Sequence, residues 1–142
     1  MPSPSEKIIG YVTPRPFGPF AMPVPAQNSC LREYAAQMGF TYALPQCEHI
    51  FKNCHVQLFG TLNSAPDGGH IVMYSSYMLP DVASDLEKLL EIQRAKNLTF
   101  HFVLEKKMMA CPEDVRKMLK VRRIAAIARH NNALKKTILQ HV

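Results

Sequence analysis

The residues able to do chemistry stand where apolar runs end. Arg15 follows the run at residues 8–12, and Cys47, Glu48 and His49 follow the run at 40–44. Ser75, Ser76 and Tyr77 close a run that begins at His70, and Glu105 closes LTFHFVLE. A guanidinium such as that of Arg15 bonds two oxygens of a phosphate or carboxylate at once. Glu48, His49 and Glu105 are side chains suited to general acid and base work. The hydroxyls of Thr13, Ser75, Ser76 and Tyr77 would orient a phosphate or a sugar. The plainer alternative is that the two glutamates pair with Arg15 or a lysine, and that the hydroxyls only satisfy backbone groups.

Cys47, His49, Cys54 and His55 have the donor types of a zinc site but not its spacing, since paired zinc ligands are usually separated by about two to four residues. No metal and no cofactor is therefore expected, and the cysteines read as free thiols. The chain contains neither a G-x-G-x-x-G nor a G-x-x-x-x-G-K-[ST] phosphate loop.

The elements that must position these residues alternate. β-branched and aromatic runs predict strands at 8–12, 40–44, 70–76 and 98–105. Helical spacing predicts helices at about 25–38 and 81–95, a short one within 54–62, and another opening at Pro112. The stretch from Pro14 to Pro25 holds five prolines and reads as a stiff, packed loop. The fold class expected is α/β: three layers, a four-stranded, mainly parallel sheet of flavodoxin-like arrangement, and a basic C-terminal helical extension. Residues 1–118 would form the α/β domain and 119–142 the extension. In such sheets ligands bind beyond the carboxyl ends of the strands, where Thr13, Arg15, Glu48, His49, Ser75, Ser76, Tyr77 and Glu105 fall.

The chain has 142 residues, 47% of them hydrophobic and 20% charged, which excludes global disorder. No apolar run approaches the length of about 18 residues that spans a bilayer. MPSPSEK lacks the features of a signal peptide, so a cytoplasmic location with reduced cysteines is expected. The net charge of +6 is unevenly spread: residues 1–105 carry −2 and residues 106–142 carry +8. The basicity thus belongs to the C-terminal extension, for which assembly into a homo-oligomer is expected; a nucleic-acid partner is not favoured, because no aromatic residue follows Phe102.

Two resemblances carry these readings further. GYVT at 10–13, VPAQNSCLREYAAQMGFTY and DVASDLEKLLEIQRAKNLTFHFVLE resemble the serine-recombinase (resolvase) catalytic domain over about residues 7–105. That implies its fold without its chemistry: the family's nucleophilic serine falls on Arg15, and the arginines of its D-R-L-x-R signature are missing around Tyr77–Asp81. Closer is the similarity of GYV-x-x-RPF, PVPAQ, LREY, LPQCEHIF, MLP and HFVLE to the sporadic carbohydrate cluster proteins of bacterial surface-polysaccharide and unusual-sugar gene clusters. This resemblance spans about residues 8–118 and implies a pathway, not a reaction.

Together these features predict a carbohydrate-biosynthesis protein that binds a sugar phosphate, nucleotide sugar or similar anion. Arg15 would hold the anion, and Glu48, His49 or Glu105 would serve an isomerisation or elimination of the lyase or isomerase kind. The sequence leaves open a non-catalytic partner of a glycan-pathway enzyme and, more weakly, a recombinase-derived nucleic-acid binder.

Overall fold

The computed structural model describes residues 6–140. The segment 1–5, which carries most of the stretch read above as lacking a leader, lies outside the described residues. Two compact units divide at Cys111 and Pro112.

The first unit is a mixed α/β fold. Its elements are β1 (Lys7–Val12), α1 (Val24–Met38), β2 (Thr41–Cys47), α2 (Val56–Ser64), β3 (His70–Met73), α3 (Ala83–Lys96), β4 (Thr99–Phe102) and β5 (Lys107–Met109). They build a five-stranded sheet in the order β2-β1-β3-β4-β5, parallel except for the antiparallel pair β4–β5. The expectation of four strands is corrected by β5, which returns along β4 after a turn closed by Lys106 in the left-handed region at φ 57°. Gln93 of α3 anchors this added edge, its side-chain amide donating to the carbonyls of Leu98 and Met109.

β1 has the sequence KIIGYV, and its alternation feeds both faces of the sheet. Ile8 and Val12 pack with Val72, Leu31 and Ala35 beneath α1. The other large buried side chains include Tyr11, Ile71, Met73, Leu58 and Leu89. Each such leucine or isoleucine contributes about 1.5–3 kcal/mol by leaving water. α1 stops at Gly39, whose left-handed φ of 81° lets its N–H reach back to the carbonyls of Ala35 and Ala36. β2 continues through Pro45 to Cys47, three residues beyond the expected stop before that proline. A proline fits there because β2 is an edge strand with a free side. The register of β1 against β2 shifts between Ile9 and Tyr11.

The short helix α2 is held at both ends by charge. The buried carboxylate of Glu48 accepts from the N–H groups of Gln57 and Leu58 at its amino end. At its carboxyl end Lys96 Nζ donates to the carbonyls of Leu62 and Ala65. Both charges oppose the helix dipole, which is what a nine-residue helix needs to be stable.

The second unit is α4 (Pro112–Gln140), a single unbroken helix of 29 residues. It opens with Pro112 and carries Glu113 and Asp114 in its first turn, as the sequence predicts. The boundary expected at 118/119 falls inside this helix. No helix among the described residues is long and apolar enough to cross a membrane.

Candidate anion site at the carboxyl edge of the sheet

Strand order reverses between β2 and β3, which lie on either side of β1. The loops leaving these three strands meet around a small cavity of about 160 Å³. Arg15 comes from the loop after β1, Lys52 and His55 from the loop after β2, and Tyr77 and Asp81 from the segment after β3.

The proline-rich loop is fixed before any ligand arrives. Gln27 of α1, fully buried, accepts from the Thr13 N–H and donates to the carbonyls of Thr13 and Met22. Phe17 and Phe20 bond to each other through their backbones, and their rings lie against Tyr74 and Tyr77 respectively. Gly18 sits at φ 56°, and a β-carbon there would run into the Tyr77 ring. Gly18→Ala is therefore expected to push Tyr77 out of place and to lower stability by at least about 1–2 kcal/mol, the cost of a left-handed L-residue. A thermal melt measures this, and an unchanged midpoint would contradict it.

Arg15 is half-buried and ties the two loops together. Its Nη1 donates to the carbonyls of His49 and Phe51, both at 3.0 Å. Its Nη2 lies 3.2 Å from Nε2 of His55, whose Nδ1 is 3.3 Å from the Asn53 carbonyl. An arginine can only donate, so Nε2 of His55 accepts, and the proton of this neutral ring is on Nδ1, aimed at Asn53. Burial first, and the Arg15 charge second, lower the His55 pKa. The cavity thus presents Arg15 and Lys52 beside a neutral imidazole, with Asp81 on its wall.

The remaining expected site residues divide. Glu48 is 3% exposed and its oxygens are filled. They accept from the Tyr11 hydroxyl, from the N–H groups of His49, Gln57 and Leu58, and from the Cys54 thiol. Burial alone raises its pKa, but the hydrogen bonds from His49, Gln57, Leu58 and Tyr11 outweigh it and leave the pKa lowered. Tyr11 moves the opposite way: burial and the adjacent Glu48 hold its phenol protonated. Glu48 is therefore a fixed anion that organises the loop behind the cavity.

His49 contributes only backbone groups to this arrangement, and its residue is exposed. Thr13, Ser75 and Ser76 are buried at 2% exposure or less. Glu105 Oε2 accepts from the Ser76 N–H at 2.7 Å and from Ser75 Oγ at 3.4 Å, while its Oε1 is buried without a hydrogen-bond partner. Of the expected residues, the structure brings Arg15 and Tyr77 to the cavity. It adds Lys52, His55 and Asp81, which sequence reasoning passed over. His55 enters the sequence reading only with Cys47, His49 and Cys54 as a metal donor, whereas its place in the loop after β2 is what puts it on the cavity. Among the described residues no three of His, Cys, Asp and Glu are grouped so as to hold a metal ion.

The same fold occurs in serine recombinases. The chain superposes on the N-terminal catalytic domain of TP901-1 integrase with a TM-score of 0.59 and 17% identity, covering 88% of this chain and 98% of that one. It superposes on a resolvase family site-specific recombinase from Streptococcus pneumoniae with a TM-score of 0.60 and 12% identity, covering 94% and 99%. At these identities the similarity establishes the fold alone. The chain matches no protein-family model and no curated protein. The resolvase-like reading of the fold is supported, and the sporadic carbohydrate cluster resemblance is not supported by these comparisons.

Proposed function

We propose that this protein binds a small phosphorylated or carboxylated carbohydrate through the Arg15 cavity and acts in carbohydrate biosynthesis. The observation that carries the reading is the junction of Arg15, Lys52 and His55 on a cavity of about 160 Å³. That volume suits a phosphate or carboxylate with a few attached atoms, and is below the roughly 300–1,000 Å³ of sites that enclose a whole small molecule. The anion goes to Arg15 and Lys52, and Asp81 and Tyr77 serve the hydroxyls of the attached sugar. Neither glutamate is given a proton transfer in this reading, because the oxygens of Glu48 are already committed and Glu105 does not line the cavity. Isothermal titration with inorganic phosphate and a hexose phosphate tests the binding. Saturable binding of the hexose phosphate that Arg15→Gln weakens by about ten- to a hundredfold supports it, and no binding of either compound overturns it.

A second reading, a nucleic-acid backbone in place of the free anion, is favoured by the recombinase-like fold and by the charge of +8 on residues 106–142. Salt-sensitive retention of the chain on DNA, lost when the basic residues of α4 are neutralised, would favour it over the first.

The proposal includes a homo-oligomer formed by α4. Ile124, Ile127, Leu134 and Ile138 are each about half exposed or more, and Asn131 completes their three- and four-residue spacing. A stripe of this spacing seats a second copy as a coiled coil, in which a lone asparagine fixes the register. Light scattering is expected to give a dimer that Ile127→Glu converts to a monomer. A monomeric wild-type chain would remove this part of the proposal.

A further inference from the structure

At the opposite end of the sheet four polar side chains form one continuous row. Glu6 Oε1 lies 3.0 Å from Nε2 of His70, the first residue of β3. His70 Nδ1 lies 2.9 Å from Nε2 of His101 in β4, and His101 Nδ1 lies 2.7 Å from the hydroxyl of Tyr34 on α1. Phe40, itself buried, packs its ring against both imidazoles. None of these residues belongs to the Arg15 cavity.

The row has a determined polarity. A carboxylate only accepts, so His70 Nε2 carries a proton. With His70 neutral, its Nδ1 accepts from His101 Nε2, and His101 Nδ1 then accepts from Tyr34. Every bond points toward Glu6, and the lone pairs of the Tyr34 oxygen remain for a ligand. With His70 protonated, the two bonds of His101 reverse, and Tyr34 becomes an acceptor whose own proton turns outward. Two hydrogen-bonded states therefore exist, differing by one proton on His70. The imidazolium of the second state lies against Glu6, as a histidine–carboxylate pair requires. Burial, and then His70, depress the His101 pKa to about 4, so His101 passes the proton without keeping it.

The row borders a groove with two lobes, of about 650 and 720 Å³, which share Gln37, Met38 and Met108. Glu6, His70 and His101 line the first lobe. Tyr34, Lys106 and Lys107 line the second, and Lys106 holds the left-handed turn before β5. These lobes are the size of small-molecule sites, with sulfur and methyl groups for an apolar body and two ammonium groups for an anion.

We propose that this groove is a second small-molecule site, in which Tyr34, backed by the His101–His70–Glu6 row, takes a proton from the hydroxyl of a small, largely apolar ligand. The ligand O–H bond breaks and its proton goes to the Tyr34 oxygen. Tyr34 gives its own proton to His101 Nδ1, and His101 gives its Nε2 proton to His70 Nδ1. The ligand becomes an anion beside Lys106 and Lys107, and the positive charge rests on His70 against Glu6. One proton has moved, and no other reactant is needed.

The test uses the full chain and para-nitrophenol, whose anion is yellow. Saturable binding is expected, with the apparent pKa of the bound phenol lowered by about one unit, a tenfold gain in ionisation at fixed pH. Nitrogen-15 NMR of the complex should find both ring nitrogens of His70 protonated. Tyr34→Phe should still bind the phenol but return its ionisation to that of the free compound and remove the His70 signature. Glu6→Gln, a change at a partly exposed residue ahead of β1, should do the same with the fold intact. Absence of saturable binding to the wild-type chain overturns the proposal. So does a full shift in both variants, which would assign the anion to the lysines and leave the row a brace.

Discussion

Glu48→Gln is expected to cost roughly 3 kcal/mol of stability. Its oxygens together accept from three backbone N–H groups, the Tyr11 hydroxyl and a thiol. An amide nitrogen in place of either oxygen leaves donors facing a donor, and each buried group so stranded costs about 1–3 kcal/mol. The charge that opposes the dipole of α2 is lost as well. Urea unfolding at neutral pH measures the loss; a change under about 1 kcal/mol would mean that the loop reorganises around the amide.

The pH dependence separates Glu48 from the histidines. Its folded pKa lies below the unfolded value, so the unfolded chain binds protons more readily. Its contribution is complete above the unfolded value of about 4.3 and disappears as pH falls through the folded value. His101 acts earlier. With a folded pKa of about 4 it stays neutral while the unfolded chain charges, so stability declines from about pH 6.5 downward and levels near 4, by up to about 1.4 kcal/mol per pH unit. Glu48→Gln should therefore flatten the acid limb below the carboxylate range and leave the imidazole limb unchanged.

The alternation of elements was legible because each carries its own period. The helix within 54–62 and the proline loop also follow from local chemistry. β5 was not legible, since Lys107–Met109 has only three residues and gains its place from antiparallel pairing with the neighbouring β4 and from the side chain of Gln93, a contact between residues 16 apart in sequence. The continuation of β2 through Pro45 was hidden for a related reason: a proline argues against an inner strand, and only the sheet order makes β2 an edge. At the candidate site, the sheet-edge rule selects loops that meet around the Arg15 cavity but not which side chains face outward. Thr13 and Ser75 turn inward to serve the backbone, and the carboxylate of Glu48 is used by α2. His55 reaches Arg15 because Glu48 fixes the loop between them, a relation that spacing alone does not encode.

The second large effect concerns Arg15. Arg15→Gln is expected to weaken binding of a hexose phosphate by about ten- to a hundredfold, corresponding to one charge-assisted hydrogen bond of roughly 1.5–3 kcal/mol. Arg15→Lys keeps the charge but cannot hold the His49 and Phe51 carbonyls together with an anion, so an intermediate loss follows. The same change should lower stability only slightly, because the carbonyls it releases lie at the exposed rim. Sulfate binding, free of ligand titration near neutrality, reports on His55. Its pKa is lowered by burial and by Arg15, and an anion placed between them offsets the repulsion. Bound anion thus raises the His55 pKa, the complex takes up a proton, and affinity rises as pH falls, by up to about tenfold per pH unit through the His55 titration. His55→Gln should abolish that slope while retaining binding at neutral pH. A pH-independent sulfate affinity in the wild-type chain would show that the anion does not enter between Arg15 and His55, and would move the proposed site elsewhere on this edge of the sheet.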